Sequence, residues 1–369
     1  MLKQYPSPVR FVFIMLSVVL FFYILVVAKL FLYPIALAIL FAYLLYPVSH
    51  FLEKHRFPRI LAILISEILL FSIITGILLV IYKRLGMFMS DMPIFRAKAL
   101  HNIDIIESQI GEVFGISNLS LVEFVRSRVA QMFDQGSNFI NKAFTATTGT
   151  LFRMGILPVF IFMLLFYRTK FAQFILKLVK PEKRMLTIRI LRELSKVTSR
   201  YMGGIFSVIF ILCILNSFGL LLIDLKYPIV FGVIAAFFNF IPFFGTIIGY
   251  SFPFVFALLT GDSPELPLRV LLVFLIIQFT EHNILSPNII GSYVQLNPFI
   301  IILGIIAGGM VWGIPGMFIV VPVLAAFRIV FVNVESLKPY GYLLSTGGTR
   351  KHAVTAENIR KFINRFRGK

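Results

Sequence analysis

Long apolar runs dominate the first half of the chain. A bilayer core of ~30 Å requires about 20 apolar residues in a helix. The runs that approach or exceed this length predict five full spans: Phe11–Ala28, Leu30–Val48, Ile60–Ile81, Leu151–Tyr167 and Tyr201–Ile223. Because only Lys29 divides the first two runs, they predict a tight helical hairpin.

The apolar runs become shorter after the fifth predicted span. They are Pro228–Ile241, Phe243–Leu259, Leu266–Thr280, Phe299–Val311 and Ile314–Phe327. Each contains or adjoins Pro or Gly, residues that interrupt helices. The whole pattern predicts an all-α integral membrane protein with about eight spans, in which the C-terminal half holds short, Gly/Pro-broken or re-entrant helices.

Two polar stretches separate the apolar runs. From Lys83 to Thr150, charges alternate with apolar residues at helical spacing, which predicts an amphipathic helical insert outside the bilayer core or on its surface. From Arg168 to Arg200 the chain holds ten Lys or Arg and two acids, which predicts a basic helix in the headgroup layer or in solvent. The predicted segments are a three-span unit (1–82), the insert (83–150), the fourth span with the basic helix (151–200), a Gly/Pro-rich membrane unit (201–334) and a basic tail (335–369).

Composition supports a membrane protein. Hydrophobic residues make up 59% of the chain and charged residues 14%, against roughly 45–50% and about 25% in ordinary soluble proteins. The net charge of +19 would suggest nucleic acid in a soluble protein. Here the excess lies between the spans, so we expect a bilayer with anionic headgroups as the partner, and no nucleic acid. The positive-inside rule places both termini and the basic helix in the cytoplasm, and the insert outside.

Signatures of enzymes are missing from the sequence. It contains no HExxH, GxSxG or phosphate-binding loop, and its one cysteine, Cys213, allows neither an intrachain disulfide nor a cysteine cluster. We therefore expect no catalytic residue, cofactor or metal site.

Polar residues gather among the short C-terminal runs. Asn239, Pro242 and Gly245 lie between two apolar runs that are too close together for two ordinary spans and a loop. Broken helices of this kind expose backbone groups that hold polar solutes or ions in transporters, although close packing of helices explains the same pattern. A second group, Glu281, Asn283, Pro287 and Gly291, adjoins the run that ends at Thr280.

Three residues are candidates for protonation. Glu281 and His282 form the strongest candidate pair for protons or substrate, although an interfacial loop at the cytoplasmic membrane edge accounts for them equally well. Glu67 lies inside the third predicted span and should face the interior of the bundle, where a hydrogen bond between helices explains it as well as transport does.

Glycine pairs four residues apart predict close contact between helices. They are Gly245 with Gly249, Gly304 with Gly308, and Gly309 with Gly313.

The residues in the C-terminal half resemble a known family. The segment from Asn239 to Gly245, followed by Gly249 and Pro253, and the longer run from Glu281 to Pro322 are similar to the autoinducer-2 exporter family, the PerM-like permeases. The resemblance implies a permease of the bacterial inner (cytoplasmic) membrane that is a homo-oligomer.

Three functions remain open at this stage. The leading hypothesis is a secondary transporter, a permease or exporter of small polar solutes. One alternative is a sodium/proton antiporter, in which Glu67 and Glu281 matter more than the amides. The other is a non-transporting membrane scaffold, in which the insert binds a partner.

Overall fold

The structure is a computed structural model that describes residues 7–114, 123–135, 155–241, 244–261, 263, 265–290 and 295–346. Within these ranges the chain is helical, and its only β feature is an isolated bridge between Leu296 and Ser345. The chain folds as two compact units. Unit 1 comprises residues 1–40, 168–201 and 292–369, and unit 2 comprises residues 41–167 and 202–291.

The helices follow the predicted runs in order. The N-terminal half contains α1 (Ser7–Val27), α2 (Lys29–Lys54), α3 (Arg59–Ser90), α4 (Met92–Phe114), α5 (residues 123–135), α6 (Ile156–Phe166) and α7 (Arg168–Leu178). A 3-10 turn (Pro181–Lys183) then precedes α8 (Arg184–Leu222), α9 (Pro228–Phe238), α10 (Phe244–Thr260) and α11 (Leu266–Thr280). The remainder contains a π-helical turn (Glu281–Leu285), α12 (Ser286–Ile289), α13 (Pro298–Trp312), α14 (Ile314–Asn333), a 3-10 turn (Glu335–Leu337) and α15 (Lys338–Leu344).

Five helical stretches among the described residues are long and apolar enough to cross a bilayer. They are α2, α3, Pro181–Leu222, Leu266–Ile289 and α14, and the count rises to six if α6 and α7 form one broken span. Helix α13, α9, α10 and the apolar part of α1 are shorter. The prediction of an all-α membrane protein is confirmed, whereas helix length alone does not establish the predicted number of about eight spans.

Helix α8 corrects one expectation. The sequence predicted a separate basic helix before a fifth span at Tyr201, but Arg184–Leu222 is one continuous helix of 39 residues. Its length, about 58 Å at ~1.5 Å per residue, is nearly twice the thickness of a bilayer core. The helix continues through residue 200, where the sequence predicted that one segment ends and the next begins, and the division between the two compact units also lies there, after Tyr201.

An aromatic core organises unit 2 where α3, α4, α9 and α10 meet. Phe88, Phe95, Phe231 and Phe256 are buried there, and the rings of Phe95 and Phe256 meet edge to face at 4.9 Å. Edge-to-face pairs of this kind add to the gain from burial. The core attaches the beginning of the insert to the short helices α9 and α10.

The described part of the insert is helical, as predicted. Val129 of α5 packs on Ala99 and Ile103 of α4. Ion pairs Arg96–Asp134 (3.5 Å) and Arg126–Asp104 (3.6 Å) join the same two helices at the surface. The described part of the insert thus contains a pair of packed helices.

In unit 1, α13 and α14 form a hairpin with Gly313 as its turn. Gly313 has φ 64° and ψ −142°, a conformation open essentially to glycine alone. A Cβ on Gly308 would lie 2.5 Å from the Gly316 carbonyl oxygen, so the two backbones are in contact. Helix α15 packs against α14, and the Asn297 N–H donates to the Leu344 carbonyl at 2.8 Å.

Candidate functional site

Helices α9 and α10 form a tightly packed hairpin in unit 2. Helix α9 has 11 residues, which corresponds to about 16 Å and is too short for a bilayer core of ~30 Å. The two helices run antiparallel in close contact, because a Cβ on Gly249 would lie 2.8 Å from the Ala235 carbonyl oxygen and one on Gly245 would overlap the Phe238 carbonyl. The outer ends of the two helices, at Pro228 and Thr260, therefore lie at the same end of the hairpin.

Both ends of this hairpin meet the insert. Tyr227, just before α9, donates a hydrogen bond to Asp91 Oδ2 at 2.6 Å. At the end of α10, Asn102 Nδ2 donates to the carbonyls of Leu259 (3.0 Å) and Gly261 (3.2 Å). The tip of the hairpin, which begins at Asn239, lies at the opposite end from the insert.

The hairpin tip is bonded to the carboxyl end of α11. Asn239, the residue that ends α9, donates from Nδ2 to Glu281 Oε1 at 3.0 Å. Glu281 lies one residue after α11, about 22 Å along that helix from Leu266. Of the predicted site residues, Asn239 and Glu281 are the pair whose side chains the structure joins.

The Glu281 carboxylate is buried and incompletely paired. The residue is 7% exposed, and its Oε2 atom has no hydrogen-bond partner among the described residues. The same holds for Oε1 of Gln278, one turn earlier. An unpaired buried oxygen is costly, and in native proteins such a group commonly marks a site that a solute, an ion or water completes.

A π-helical turn shapes this site. Residues Glu281–Leu285 form one such turn, a feature frequent at functional sites. The two residues of the predicted Glu281–His282 pair have different surroundings. Glu281 is buried beside Asn239. His282 is exposed, and its Nδ1 atom is hydrogen-bonded to Gln278 Nε2 at 3.1 Å. The Asn283 amide is exposed and donates to the Phe279 carbonyl of its own helix at 2.8 Å.

The remaining candidates have other positions. Pro287 is exposed on α12, and Pro242 and Gly291 lie outside the described residues. Glu67 is buried in α3, at 6% exposure, and its Oε1 atom has no hydrogen-bond partner in the described part of the chain.

The predicted glycines occupy two kinds of position. Gly245 and Gly249 face α9, and Gly304 and Gly308 face α14, where each leaves no room for a Cβ. Gly309 lies against the side chain of Met317, and a Cβ on Gly309 would be 2.6 Å from Met317 Cε. Gly313 differs, because a Cβ there would meet nothing within 4 Å and the residue serves the turn.

Sequence reasoning missed one residue beside the carboxylate. Tyr250 of α10 stacks on Phe274 with ring centroids 4.0 Å apart and interacts electrostatically with Glu281. The sequence feature that could have identified Tyr250 is its hydroxyl group, which lies within the apolar run Phe243–Leu259. A group of three or more His, Cys, Asp or Glu residues able to hold a metal is absent from the described ranges.

Comparison with known proteins identifies the family. A sequence model described as AI-2E family transporter matches residues 12–335. The chain belongs to this family. The matched range includes the α9–α10 hairpin, Glu281 and the α13–α14 hairpin.

Individual relatives agree with the AI-2E assignment. The chain is 29% identical over 302 residues to YrrI of Bacillus subtilis (strain 168), which its name alone describes as a transport protein, with 79% of this chain and 83% of YrrI covered. YueF of the same organism, named in the same way, is 25% identical over 315 residues, covering 80% and 82%. PerM of Escherichia coli (strain K12), named as a permease, is 24% identical over 214 residues, covering 57% and 60%.

Membership in the AI-2E family makes the chain a multi-pass membrane protein from a family of transporters rather than enzymes. A lipid bilayer and a transported substrate are therefore its partners.

Proposed function

We propose that the protein is a secondary transporter that moves small polar solutes across the bacterial cytoplasmic membrane, and that its pathway passes the tip of the α9–α10 hairpin. The observation that carries this proposal is the bond between Asn239 and Glu281. A buried carboxylate with one oxygen that lacks a partner among the described residues is bonded to Asn239, at the carboxyl end of α9. In transporters, interrupted helices expose polar groups at membrane depth where they line a pathway.

The chemistry of the site favours solutes that donate hydrogen bonds. Glu281 Oε2 and Gln278 Oε1 are acceptors without partners among the described residues, so each can accept a hydrogen bond from a solute hydroxyl or contact a cation. Asn239 carries donors and an acceptor, so its amide exchanges Glu281 for a solute without losing its own hydrogen bonds. We therefore assign solute contact to Asn239 and Glu281 first, and keep Pro242, Gly245, Asn283, Pro287 and Gly291 as residues that line the pathway.

The proposed topology has about eight crossings. The crossing segments are α1, α2, α3, the predicted span 151–167 that includes α6, α8, α11 with α12, α13 and α14, and the α9–α10 hairpin enters from outside and returns. This arrangement leaves both termini in the cytoplasm, where the basic residues meet anionic headgroups. A homo-oligomer and the predicted division into five segments are part of the same proposal.

A sodium/proton antiporter is the second candidate. The observation in its favour is that two carboxylates, Glu67 and Glu281, are buried in unit 2 and that each has an oxygen without a partner among the described residues. Buried membrane carboxylates commonly carry protons. In this case Glu67→Gln abolishes transport as completely as Glu281→Gln does.

The test uses purified protein in vesicles. The vesicles are loaded with a defined mixture of sugars, polyols and organic acids, and mass spectrometry follows loss of each solute. A pH dye inside the vesicles reports proton movement when sodium is added outside. For the solute that the wild type moves, we expect Glu281→Gln and Asn239→Ala to lower flux at least about tenfold, because each removes a contact at the site. Glu335→Gln is the matched control, since it removes an exposed carboxylate that pairs with Lys338.

Each outcome distinguishes the candidates. Unchanged solute flux in both site variants would contradict the assignment of the pathway. Proton movement on adding sodium, without loss of any solute, would favour the antiporter. If no flux of either kind occurs with the wild type, while deletion of residues 83–150 abolishes the protein's effect in cells, the scaffold is favoured.

A further inference from the structure

Helix α7 carries an apolar stripe that no described residue of its own unit covers. Phe171, Phe174, Ile175 and Leu178 follow the i, i+3, i+4, i+7 spacing that places side chains on one face of a helix. They are 49%, 59%, 37% and 70% exposed, and no residue of α7 is buried. Exposing four large apolar side chains of one short helix to water is unfavourable, so this surface requires a partner.

All the charged residues in and directly after α7 are basic. Residues 168–180 contain four Lys or Arg and no acid. Lys170 and Lys177 are seven residues apart and share a flank of the helix next to the apolar stripe, and Lys180 follows the last turn. An apolar face bordered by lysines is typical of helices that lie in the plane of a membrane surface.

The position of α7 in the chain places it at the membrane. Helix α6 ends at Phe166, Tyr167 is its C-cap, and α7 begins at Arg168. Because one residue separates a helix of the membrane part from α7, the stripe starts at the level of the headgroups. The positive-inside rule assigns this side to the cytoplasm, where anionic lipids are enriched.

We propose that α7 is a binding surface for anionic phospholipids of the cytoplasmic leaflet. The stripe inserts between the upper parts of the acyl chains, and Lys177 and Lys180 contact headgroup phosphates. A second copy of α7 is a poor occupant of the same surface, because two stretches with four cations and no acid repel each other. Phosphates complement that charge.

The test places a reporter dye on α7 of the full chain, without any transport measurement, so failure of the proposed transport function leaves it unaffected. In a Cys213→Ser background, a single cysteine replaces either Leu178 on the stripe or Gln173 on the polar face. Each variant carries an environment-sensitive dye and is placed in phosphatidylcholine vesicles with or without about 30% phosphatidylglycerol, a fraction that gives a strongly negative surface. Quenching by a lipid with a nitroxide on its acyl chain is compared with quenching by aqueous iodide.

We expect the nitroxide lipid to quench the dye at position 178 at least threefold more strongly than the dye at position 173, and iodide to show the reverse order. Equal quenching of both positions by iodide would mean that α7 lies in water, and protection of position 178 from both quenchers would mean that protein covers the stripe. Either result overturns the proposal.

Selectivity for anionic headgroups is tested with pyrene-labelled lipids and energy transfer to the dye at position 178. We expect pyrene phosphatidylglycerol to be enriched at least twofold over pyrene phosphatidylcholine, and K177Q/K180Q to reduce that ratio to about one. The control K83Q/R84Q removes the same charge from two exposed residues of α3 and should leave the ratio unchanged. Equal ratios in wild type and K177Q/K180Q would exclude binding of headgroups by these lysines.

Discussion

The hydroxyl of Tyr227 donates a 2.6 Å hydrogen bond to Asp91, which lies 136 positions earlier in the chain. Asp91 connects α3 to α4, and Tyr227 precedes α9 in a left-handed conformation with φ 59°. The same hydroxyl lies 3.1 Å from the Met87 carbonyl. A strained residue of this kind persists only where its surroundings hold it, so the turn before the hairpin is held by the base of the insert.

This bond predicts an alkaline loss of stability. Removal from water and the Asp91 carboxylate raise the pKa of Tyr227 from 10.0 to about 12. Because the folded pKa lies above the unfolded one, the contribution of the bond is complete below pH ~10 and is lost as the pH rises through about 12. We expect the thermal midpoint of the wild type in detergent to fall further over this range than that of Tyr227→Phe. Parallel curves for the two proteins would contradict the assignment.

The Asn239–Glu281 bond predicts coupling between the two substitutions. Asn239→Ala removes the Nδ2 donor and leaves the buried Glu281 Oε1 atom without its hydrogen bond. The loss should lower the free energy of unfolding by about 1–3 kcal/mol. In a Glu281→Gln background the same change should cost less, because a neutral amide is cheaper to leave unpaired. The measurement is a double-mutant cycle by chemical unfolding in detergent. A coupling energy near zero would show that the two side chains do not share a bond.

The sequence was informative about this site only in part. The residues around Asn239 and Glu281 were predicted because amides and a carboxylate beside apolar runs are costly unless they serve a purpose. Their pairing was not predictable, since it joins residues that 42 positions separate. The grouping of Glu281 with His282 was a natural inference from adjacency, but neighbours on a helix point about 100° apart, and a π turn changes the direction again.

Close contact between α13 and α14 predicts that Gly308→Ala destabilises the protein. Its Cβ would lie 2.5 Å from the Gly316 carbonyl oxygen and 3.3 Å from Val320 Cβ, so the helices must move apart, at about 1–3 kcal/mol. Gly76→Ala in α3 is the control, because a Cβ there meets nothing within 4 Å and alanine favours a helix. Thermal unfolding in detergent should place the two variants on opposite sides of the wild type. Similar midpoints for both would mean that the hairpin tolerates the extra carbon.

The turn at Gly313 predicts a conformational rather than a steric effect. Its φ of 64° and ψ of −142° are unfavourable for L-residues, although a Cβ would have open space. We expect Gly313→Ala to cost about 1–3 kcal/mol. D-alanine, introduced by semi-synthesis, should restore stability because its preferred angles are the mirror image. If the L and D variants unfold at the same temperature, backbone strain at this position does not account for the effect.

The fold was more predictable than its details. Runs of apolar residues gave the order of the helices, because the length of a run is set by the thickness of the bilayer. The continuity of α8 was not predicted because the charge of the sequence changes abruptly near Tyr201. The helix continues there because α8 contains no Pro that would end it. A change in polarity along the sequence indicates a change in the surroundings of the helix, whereas the end of a helix requires a residue such as Pro that interrupts its hydrogen bonds.

The π turn after α11 has a consequence for comparing related chains. A π turn holds one residue more than the α-helical turn it replaces, so it rotates everything after Leu285 by about 100° relative to α11. A relative that lacks one residue between Glu281 and Leu285 would keep a helix of nearly the same length but present a different face to its neighbours. A single-residue gap at this position in an alignment therefore signals a change in helical phase, and not a harmless difference in a loop.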